Sequence, residues 1–486
     1  MGTPSIKVFN TLSMQKEPLT PLRPGEVGIY VCGPTVYSYA HIGNARTFTA
    51  FDVVVRYLRY RGFKVRYVRN VTDVDDKIIR AAAETHEPPE LLAERFFQVF
   101  QEDARRLKLL EPDFSPKVTD HIPEIRSLIQ KLLDGGFAYT SQGDVYFEVS
   151  RYPQYARLSG KKLEELQVGD RVQQGEAKRN PVDFALWKSA KPGEPFWEAP
   201  WGPGRPGWHI ECSAMSEKYL GETFDLHGGA LDLIFPHHEN ELAQSQAASG
   251  KPCAKVWMHA NFLDLAGAKM SKSLGNVVRL RDALVRVDGE TLRYFFLSTH
   301  YRNPISFVDK SLSDSELRLE YFYETLQKVS ARIGAGGFAP GPLHDNPGRF
   351  LEAFETSMDD DFNCPGAMAA LAGLFGSMNE WVEKPPTKDK ALVGRTLVAM
   401  LEQARTMGGV LGIFADDPAQ WLLHHRARAV LEKGINPERV EQLISARTQA
   451  RANKDFGQAD ALREELKGLG VEVMDRASGT GWKVIT

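Results

Sequence analysis

The segment 29–59 constrains the fold most strongly, because its pattern predicts a buried strand that leads directly into a helix. Residues 29–32 form the short apolar run Ile-Tyr-Val-Cys, which is typical of a buried strand. The predicted helix begins at His41, ends before Gly62, and has four apolar residues on one face: Phe48, Phe51, Val55 and Leu58. A tight turn between a strand and a helix collects backbone N–H groups and the positive end of the helix dipole, which favours phosphate binding.

Three residues around this turn have potential chemical roles. His41 could donate to phosphate oxygens, and Gly43 would let a nucleotide lie against the backbone. The alternative, favoured for so short a motif taken alone, is that His41 only caps the helix and Gly43 serves the turn. Cys32 ends the predicted strand, and ligands of open α/β sheets bind beyond the carboxyl ends of strands. The sequence therefore places Cys32 and His41 beside one crevice.

The composition, with 42% hydrophobic and 25% charged residues, is that of an ordinary soluble globular protein. Its 486 residues exceed the length at which single cores stop growing, so several domains are expected. The formal net charge of −3 argues against a uniformly basic surface for nucleic acid. Four scattered cysteines do not make a disulfide framework, and the sequence has neither a signal-peptide pattern nor an apolar run long enough to cross a membrane. We therefore expect a cytoplasmic protein without a membrane segment.

A second strand follows the helix and defines the fold class. Residues 64–71 alternate in hydrophobicity, so strand, helix and strand form a βαβ unit and predict a parallel, right-handed, doubly wound α/β sheet. The turn after this strand contains Asp73, Asp75 and Asp76. These carboxylates could hold Mg²⁺, but capping of the next helix is the preferred interpretation.

The remainder of the chain divides by pattern. Residues 121–206 do not continue the βαβ periodicity and are interpreted as an insertion between the two halves of the sheet. The core pattern resumes at Gly207, with Cys212 expected beside a strand end. The Gly- and Pro-rich stretch 334–347 separates two helical regions, and the last module, 424–486, is slightly basic with 11 Lys or Arg and 9 Asp or Glu residues.

Four residues could form a metal site. His237 and Glu241 are four residues apart on a predicted helix, so their side chains project from one face, while Cys32 and Cys212 lie upstream. Two sulfurs, a nitrogen and an oxygen are ligands that tetrahedral zinc accepts. Spacing alone leaves open that the cysteines are merely buried and that His237 and Glu241 lie on a surface helix. It also leaves His238, Glu239 and Cys253 as rival ligands.

A charged loop, residues 267–276, follows the predicted sheet and is called the lysine loop below. Lys269 and Lys272 lie between two glycines and beside two serines. Such a loop could close over a triphosphate and offset charge that develops during phosphoryl or nucleotidyl transfer. Taken alone, a solvated loop is the simpler interpretation.

Taken together, these motifs resemble those of the class I aminoacyl-tRNA synthetases. The sequences His-Ile-Gly-Asn at 41–44 and Lys-Met-Ser-Lys-Ser at 269–273 are similar to that class's two signatures. Four further segments resemble the cysteinyl-tRNA synthetase family, and the chain's tail is similar to that family's anticodon-reading end: 32–37, 70–77, 207–215, 235–241 and 459–482. The likeness covers nearly the whole chain.

The resemblance implies a Rossmann-type catalytic domain, a helical bundle and a small mixed α/β module. The implied segments are the first catalytic half 1–120, a connective insertion 121–206, the second half 207–255, a stem-contact region 256–310 with the lysine loop, a bundle 311–414 and an anticodon-binding module 424–486. It implies activation of L-cysteine with ATP and Mg²⁺ and transfer to the 3′ end of tRNA(Cys). The expected protein is a monomer.

The resemblance also implies roles for individual residues. Zinc would be held by Cys32, Cys212, His237 and Glu241. The implied catalytic residues are His41, Lys269 and Lys272; the ATP contacts are Gly43, Asn44 and Lys272; and the substrate contacts are Trp208 and His227. Asn44 departs from the family signature, which has histidine there; an amide can still donate a hydrogen bond but carries no positive charge.

Zinc would explain how cysteine is distinguished from serine. A hydrophobic pocket separates such small differences by only about 1–3 kcal/mol. A metal deprotonates and binds a thiol, whereas a serine hydroxyl is a much weaker acid. Two other functions stay open: a cysteine ligase that passes its adenylate to a small amine, and a non-catalytic, zinc-stabilised RNA-binding protein. The C-terminal module argues against the first, and Lys269 and Lys272 would have no role in the second.

Overall fold

The structure is a computed structural model of the chain. It describes residues 5–162, 177–265, 268–269, 277–334, 338, 341–344, 347–476 and 479–485.

Strands and helices are numbered here in chain order within the described residues. The strands are β1 (Lys7–Asn10), β2 (Gln15–Pro18), β3 (Glu26–Val31), β4 (Lys64–Arg69), β5 (Ala138–Ser141), β6 (Asp144–Phe147), β7 (Phe184–Ser189), β8 (Gly204–Pro206), β9 (Phe224–Ala230), β10 (Ala254–Ala260), β11 (Leu263–Leu265), β12 (Ala268–Lys269), β13 (Ile305–Ser306), β14 (Val471–Arg476) and β15 (Gly479–Val484). The helices are α1 (Ile42–Tyr60), α2 (Asp76–Thr85), α3 (Pro89–Arg106), α4 (Ile122–Asp134), α5 (Trp208–Leu220), α6 (Glu239–Ser249), α7 (Leu280–Arg286), α8 (Gly289–Leu297), α9 (Asp309–Ile333), α10 (Gly348–Asp359), α11 (Cys364–Glu383), α12 (Lys390–Leu411), α13 (Pro418–Glu432), α14 (Pro437–Ala452) and α15 (Phe456–Gly468).

The central sheet has the order β10-β9-β3-β4 in the described part of the chain, and every pair in it is parallel. Strand β3 is connected to β4 through α1, which is the predicted βαβ unit. Because parallel sheets are covered by helices on both faces, the inner strands β3 and β9 are largely buried. The predicted doubly wound α/β fold is therefore confirmed.

Close packing of α1 on the sheet explains one glycine of β9. The ring of Phe51 is buried against Gly228, where an added Cβ would lie 2.2 Å from a ring carbon. A residue with a side chain at position 228 would therefore push the helix away from the sheet.

The insertion between the sheet halves has a different architecture. Helix α4 precedes a sheet of order β5-β6-β7-β8 in which all neighbours are antiparallel. Its buried residues are continuous with one core cluster that also contains Cys32 and Cys212. The absence of βαβ periodicity in the sequence thus corresponds to an antiparallel sheet.

The chain forms two compact units. The first comprises Met1–Val308, Gly348–Leu371 and Gly409–Ile413, and the second comprises Asp309–Pro347, Ala372–Gly408 and Phe414–Thr486. In the second unit Tyr323 of α9 stacks on Trp421 of α13, with ring centroids 4.2 Å apart. The C-terminal helices and the β14–β15 hairpin share a small core of their own: Val440, Leu443, Ile444, Leu466, Val471, Trp482 and Val484.

Cys212 and residue 424 both lie within helices, which differs from the sequence-based expectations. The expected position of Cys212 beside a strand end is wrong, because Cys212 lies inside α5, where Ile210, Ala214 and Met215 are buried at helical spacing. Residue 424, the predicted start of the last module, lies within α13.

Among the described residues, every helix is too short or too polar to cross a lipid bilayer.

Candidate metal centre and active site

The four predicted metal ligands come together at the carboxyl end of the central sheet. Cys32 directly follows β3, and its main-chain N–H donates to the Gly228 carbonyl at 3.1 Å. Cys212 projects from α5. His237 lies in the short helical segment Ile234–His238 that leads into α6, and Glu241 is the third residue of α6. One ligand atom from each residue lies within 4.8 Å of all the others, and all four side chains are buried.

The distances within this group are those of a compact polar cluster. His237 Nε2 is 3.0 Å from Glu241 Oε1 and 3.6 Å from Cys212 Sγ. Cys32 Sγ is 3.4 Å from Glu241 Oε1 and 3.8 Å from Cys212 Sγ. Buried polar groups at such separations must be paired with one another or with a cation.

The electrostatic environment separates the two thiols. Burial, the hydrogen bond to Cys212 and the negative charge of Glu241 raise the pKa of Cys32 well above its ordinary value. Burial also disfavours the thiolate of Cys212, but hydrogen bonds from Cys32 and His237, with the charge of His237, lower its pKa to about 6. Cys212 is therefore the thiol that ionises more readily, and thiolates are the form that binds metal.

The carboxylate and the imidazole of the group stabilise each other's charge. Burial favours the neutral forms, but the attraction between His237 and Glu241 raises the pKa of His237 to about 10 and holds that of Glu241 well below its usual range. His227 has the larger share in lowering the pKa of Glu241, and His237 the smaller.

His227, predicted from the sequence as a substrate contact, lies beside the metal group. Its Nε2 is 2.8 Å from Glu241 Oε2, and its ring stacks on Trp257 with centroids 4.4 Å apart. It therefore fixes the carboxylate oxygen that does not face His237.

The rival ligands occupy distinct positions. Cys32, His227, His238 and Glu241 form a second group whose ligand atoms also lie within 4.8 Å of one another. His238 Nε2 is 3.2 Å from Cys32 Sγ, and its Nδ1 is 2.8 Å from His259 Nε2. Glu239 instead accepts the Ser159 N–H at 2.7 Å, and Cys253, with its pKa raised by burial, belongs to neither metal group.

The histidine network around these groups was not anticipated from the sequence. His209 Nδ1 lies 3.0 Å from His237 Nδ1, and His259 Nδ1 lies 2.7 Å from the Thr11 hydroxyl. Partners at the second ring nitrogen orient metal-binding histidines. For His259 the available signal was its place directly after the apolar run 256–258, and His209 had no comparable signal.

A cavity of about 220 Å³ connects the metal group with the predicted nucleotide motif. Its wall includes Cys32, His41, Asn44 and Trp208. Trp208 is the first residue of α5 and stacks on His237, with centroids 4.1 Å apart and planes inclined by 22°. One ring thus separates the cavity from a predicted metal ligand.

Gly33 lets the backbone approach closely at the mouth of this cavity. An added Cβ would lie 1.6 Å from the carbonyl oxygen of Asn70, whose side chain also accepts the Gly33 N–H at 2.8 Å. Only glycine fits this crossing of two chain segments.

The predicted nucleotide motif forms the first turn of α1. His41 is the N-cap: its Nδ1 accepts the Asn44 N–H, and the Asn44 side-chain oxygen accepts the His41 N–H, both at 3.2 Å. Gly43 is the second residue of the helix, and its carbonyl accepts the Thr47 hydroxyl at 3.2 Å. Capping is therefore one role of His41, whose Nδ1 satisfies one of the N–H groups at the N-terminus of the helix.

Contacts from α1 tie this motif to the strands and turns that flank the lysine loop. Arg46, buried within α1, donates to the carbonyls of Asn261, Phe262 and Asn303. The Ile42 N–H donates to the Val278 carbonyl at 3.1 Å. Lys269 lies in the two-residue strand β12, paired with Asp264 of β11, while Lys272 lies outside the described residues.

Three family models match the chain. They describe the tRNA synthetases class I (C) catalytic domain over residues 18–316, a DALR domain over 353–415 and the cysteinyl-tRNA ligase anticodon binding domain over 436–482.

Curated relatives match over almost the full length. A cysteine–tRNA ligase of Syntrophotalea carbinolica is 50% identical over 481 residues, covering 99% of each chain. One of Coxiella burnetii (strain RSA 493 / Nine Mile phase I) is 47% identical over 480 residues, again covering 99% of each chain.

Solved structures show the same fold at low identity. Methionyl-tRNA synthetase of Mycobacterium tuberculosis, in complex with methionyl-adenylate, aligns with a TM-score of 0.61 at 17% identity over 82% of this chain and 93% of that one. A putative arginyl-tRNA synthetase from Campylobacter jejuni aligns with a TM-score of 0.55 at 13% identity, over 82% and 95%. These likenesses confirm the class I synthetase fold expected from the motifs, and the full-length matches establish that the chain belongs to the cysteine–tRNA ligase family.

Proposed function

We propose that the chain activates L-cysteine with ATP, giving cysteinyl-adenylate and pyrophosphate, and transfers cysteine to the 3′ end of tRNA(Cys). The observation that carries the proposal is one cavity lined both by Cys32 of the metal group and by His41 and Asn44 of the predicted nucleotide motif. A thiol-bearing amino acid and a nucleotide phosphate would then meet inside it.

The donor set fits zinc. Cys32, Cys212, His237 and Glu241 offer two sulfurs, one imidazole nitrogen and one carboxylate oxygen, all buried, and zinc accepts each of these ligand types. We prefer this group to the one with His227 and His238, because it includes both thiols and soft thiolate ligands favour zinc.

Bound zinc would supply a Lewis acid that ligates the substrate thiolate far better than a serine hydroxyl. The chain's own residues hold the site ready. His227 fixes one oxygen of Glu241 and His237 contacts the other. As the hardest of the four donors, this carboxylate is the ligand we expect to yield when a thiolate arrives. Trp208 would form the wall of the side-chain pocket.

We place the phosphates of ATP, accompanied by Mg²⁺, at the N-terminus of α1. There His41 and Asn44 border the cavity, Gly43 allows close approach, and the helix dipole favours negative charge. Lys269 and Lys272 would close over the nucleotide and offset charge as the cysteine carboxylate attacks the α-phosphate. No covalent enzyme intermediate is required.

For the remaining parts we keep the domain roles implied by the resemblance, with residues 424–486 including the tRNA anticodon reader. The anticodon-binding match to 436–482 supports that role. We further propose a monomer that acts in the cytoplasm, where its four free, buried cysteines would stay reduced.

Charging of total tRNA with labelled amino acids tests the proposal. Cysteine should be attached in an ATP-dependent manner and serine should not, with cysteine-dependent ATP–pyrophosphate exchange in the absence of tRNA. Exchange without charging, combined with transfer of cysteine to an added amine, would indicate the small-amine ligase instead.

A further inference from the structure

An ammonium group that forms no ion pair within the described part of the chain lines the substrate cavity. Lys77 belongs to the cavity wall together with Cys32, His41 and Trp208. Its Nζ lies 5.5 Å from the ring centroid of Trp208 and 5.7 Å from that of Tyr37. Among the described residues, no carboxylate forms an ion pair with it.

The carboxylates nearest in sequence have other partners. Asp75 caps α2 by accepting the main-chain N–H of Lys77 at 2.8 Å, and Asp76 pairs with Lys188 at 2.6 Å and with Arg205. Lys77 is the second residue of α2, where the positive end of the helix dipole disfavours a cation. The Lys77 side chain is exposed, so its ammonium is accessible to an anion that enters the cavity.

The aromatic rings direct this charge toward the amino-acid end of the cavity. Trp208, which contacts the Lys77 ammonium, stacks on His237 of the metal group. In cysteine only Cβ and Cα separate the sulfur from the carboxylate carbon. A thiol held at the metal group therefore leaves its carboxylate inside the cavity, between that group and the phosphate site.

We propose that Lys77 binds the carboxylate of the substrate cysteine, with Tyr37 and Trp208 holding the ammonium in place. This assignment rests on the proposed function. The contact would orient the attacking oxygen and reduce the repulsion between the carboxylate and the α-phosphate of ATP.

Calorimetric binding of two thiols to the zinc-loaded protein tests the contact. L-cysteine has the carboxylate, whereas cysteamine has the same thiol and amine without it. In Lys77→Met, affinity for cysteine should fall about 10-fold or more, as for loss of a hydrogen bond to a charged group. Affinity for cysteamine should stay near that of the wild type, and Lys77→Arg should recover part of the loss.

Lys64→Met is the matched control. It removes the same charge from the amino end of β4, whereas Lys77 follows the carboxyl end of that strand; Lys64 is exposed and pairs with Glu26 at 3.1 Å. It should change neither affinity.

If Lys77→Met lowers the affinities for cysteine and cysteamine equally, the assignment is overturned. It is also overturned if cysteine affinity is unchanged and ATP affinity falls, because Lys77 would then contact the nucleotide. The proposed function is judged separately, on wild-type exchange. A wild type without cysteine-dependent exchange refutes that function, whereas an active wild type with equal losses in the variant refutes only the role of Lys77.

Discussion

His41 and Asn44 cap the first helix of the catalytic domain reciprocally, each side chain accepting the main-chain N–H of the other at 3.2 Å. This arrangement gives Asn44 a structural role that needs an acceptor and no positive charge. It accounts for an amide at a position where the family signature has histidine.

Replacing Asn44 tests this cap. Asn44→Ala removes the acceptor for the His41 N–H and should destabilise the first turn by about 0.5–2 kcal/mol, as capping losses usually do. Hydrogen exchange of the peptide that contains residues 41–44 should accelerate. Asn44→Asp keeps the acceptor and should exchange like the wild type.

The control for this experiment is Asn436→Ala. Asn436 caps α14 by accepting the Arg439 N–H at 3.2 Å, so its loss should accelerate exchange there and leave 41–44 unchanged. Equal exchange at 41–44 in wild type and Asn44→Ala would show that the cap contributes nothing measurable.

Cys212→Ser should lose bound zinc and cysteine-over-serine selectivity together, because a serine hydroxyl is a poor zinc ligand at neutral pH. Glu241→Gln should be milder, since an amide oxygen can take the same place with less charge. Metal content and the ratio of cysteine to serine activation should be measured on each purified variant.

Cys253→Ser and Cys364→Ser are the matched controls for Cys212→Ser. Both cysteines are buried but stand outside the metal groups found in the described residues. They should retain metal at only a modest packing cost. A Cys253 variant without zinc, beside a Cys212 variant that keeps it, would require a different ligand set.

Lys272→Ala should slow adenylate formation by roughly 10²–10³, the loss expected for one preorganised charged donor. Its affinity for cysteine should change little, because the lysine acts on charge that develops in the transition state. ATP–pyrophosphate exchange and cysteine binding should be measured in parallel. An unaltered exchange rate would remove Lys272 from the catalytic machinery.

Removal of residues 435–486 should preserve cysteine-dependent exchange and greatly weaken tRNA charging. The cut follows α13, so it leaves intact the stacking of Trp421 on Tyr323 within the second unit. A parallel loss of exchange and charging would show that the tail supports the catalytic fold.

Much of the fold and part of the site followed from local patterns. Apolar periodicity predicted β3, α1 and β4 because buried faces repeat with the period of the element. The same reasoning set Cys32 at a strand end and His237 and Glu241 on one helix face. Such statements need only the geometry of a short segment.

Other features depended on how distant segments pack. The sequence analysis placed Cys212 beside a strand end, but it is the packing of α5 against the sheet that brings its sulfur within 3.8 Å of Cys32 Sγ. Spacing could not separate His237 from His238, and both prove to be buried beside Glu241.

The sequence by itself determined the family, the order of motifs and the residue types that chemistry requires. Only the tertiary structure decided which of them meet, as with Lys77 lying over Trp208, 131 positions further along the chain. The reason is physical. Periodicity reports which face of an element is buried, whereas contact between side chains far apart in sequence depends on how whole elements dock.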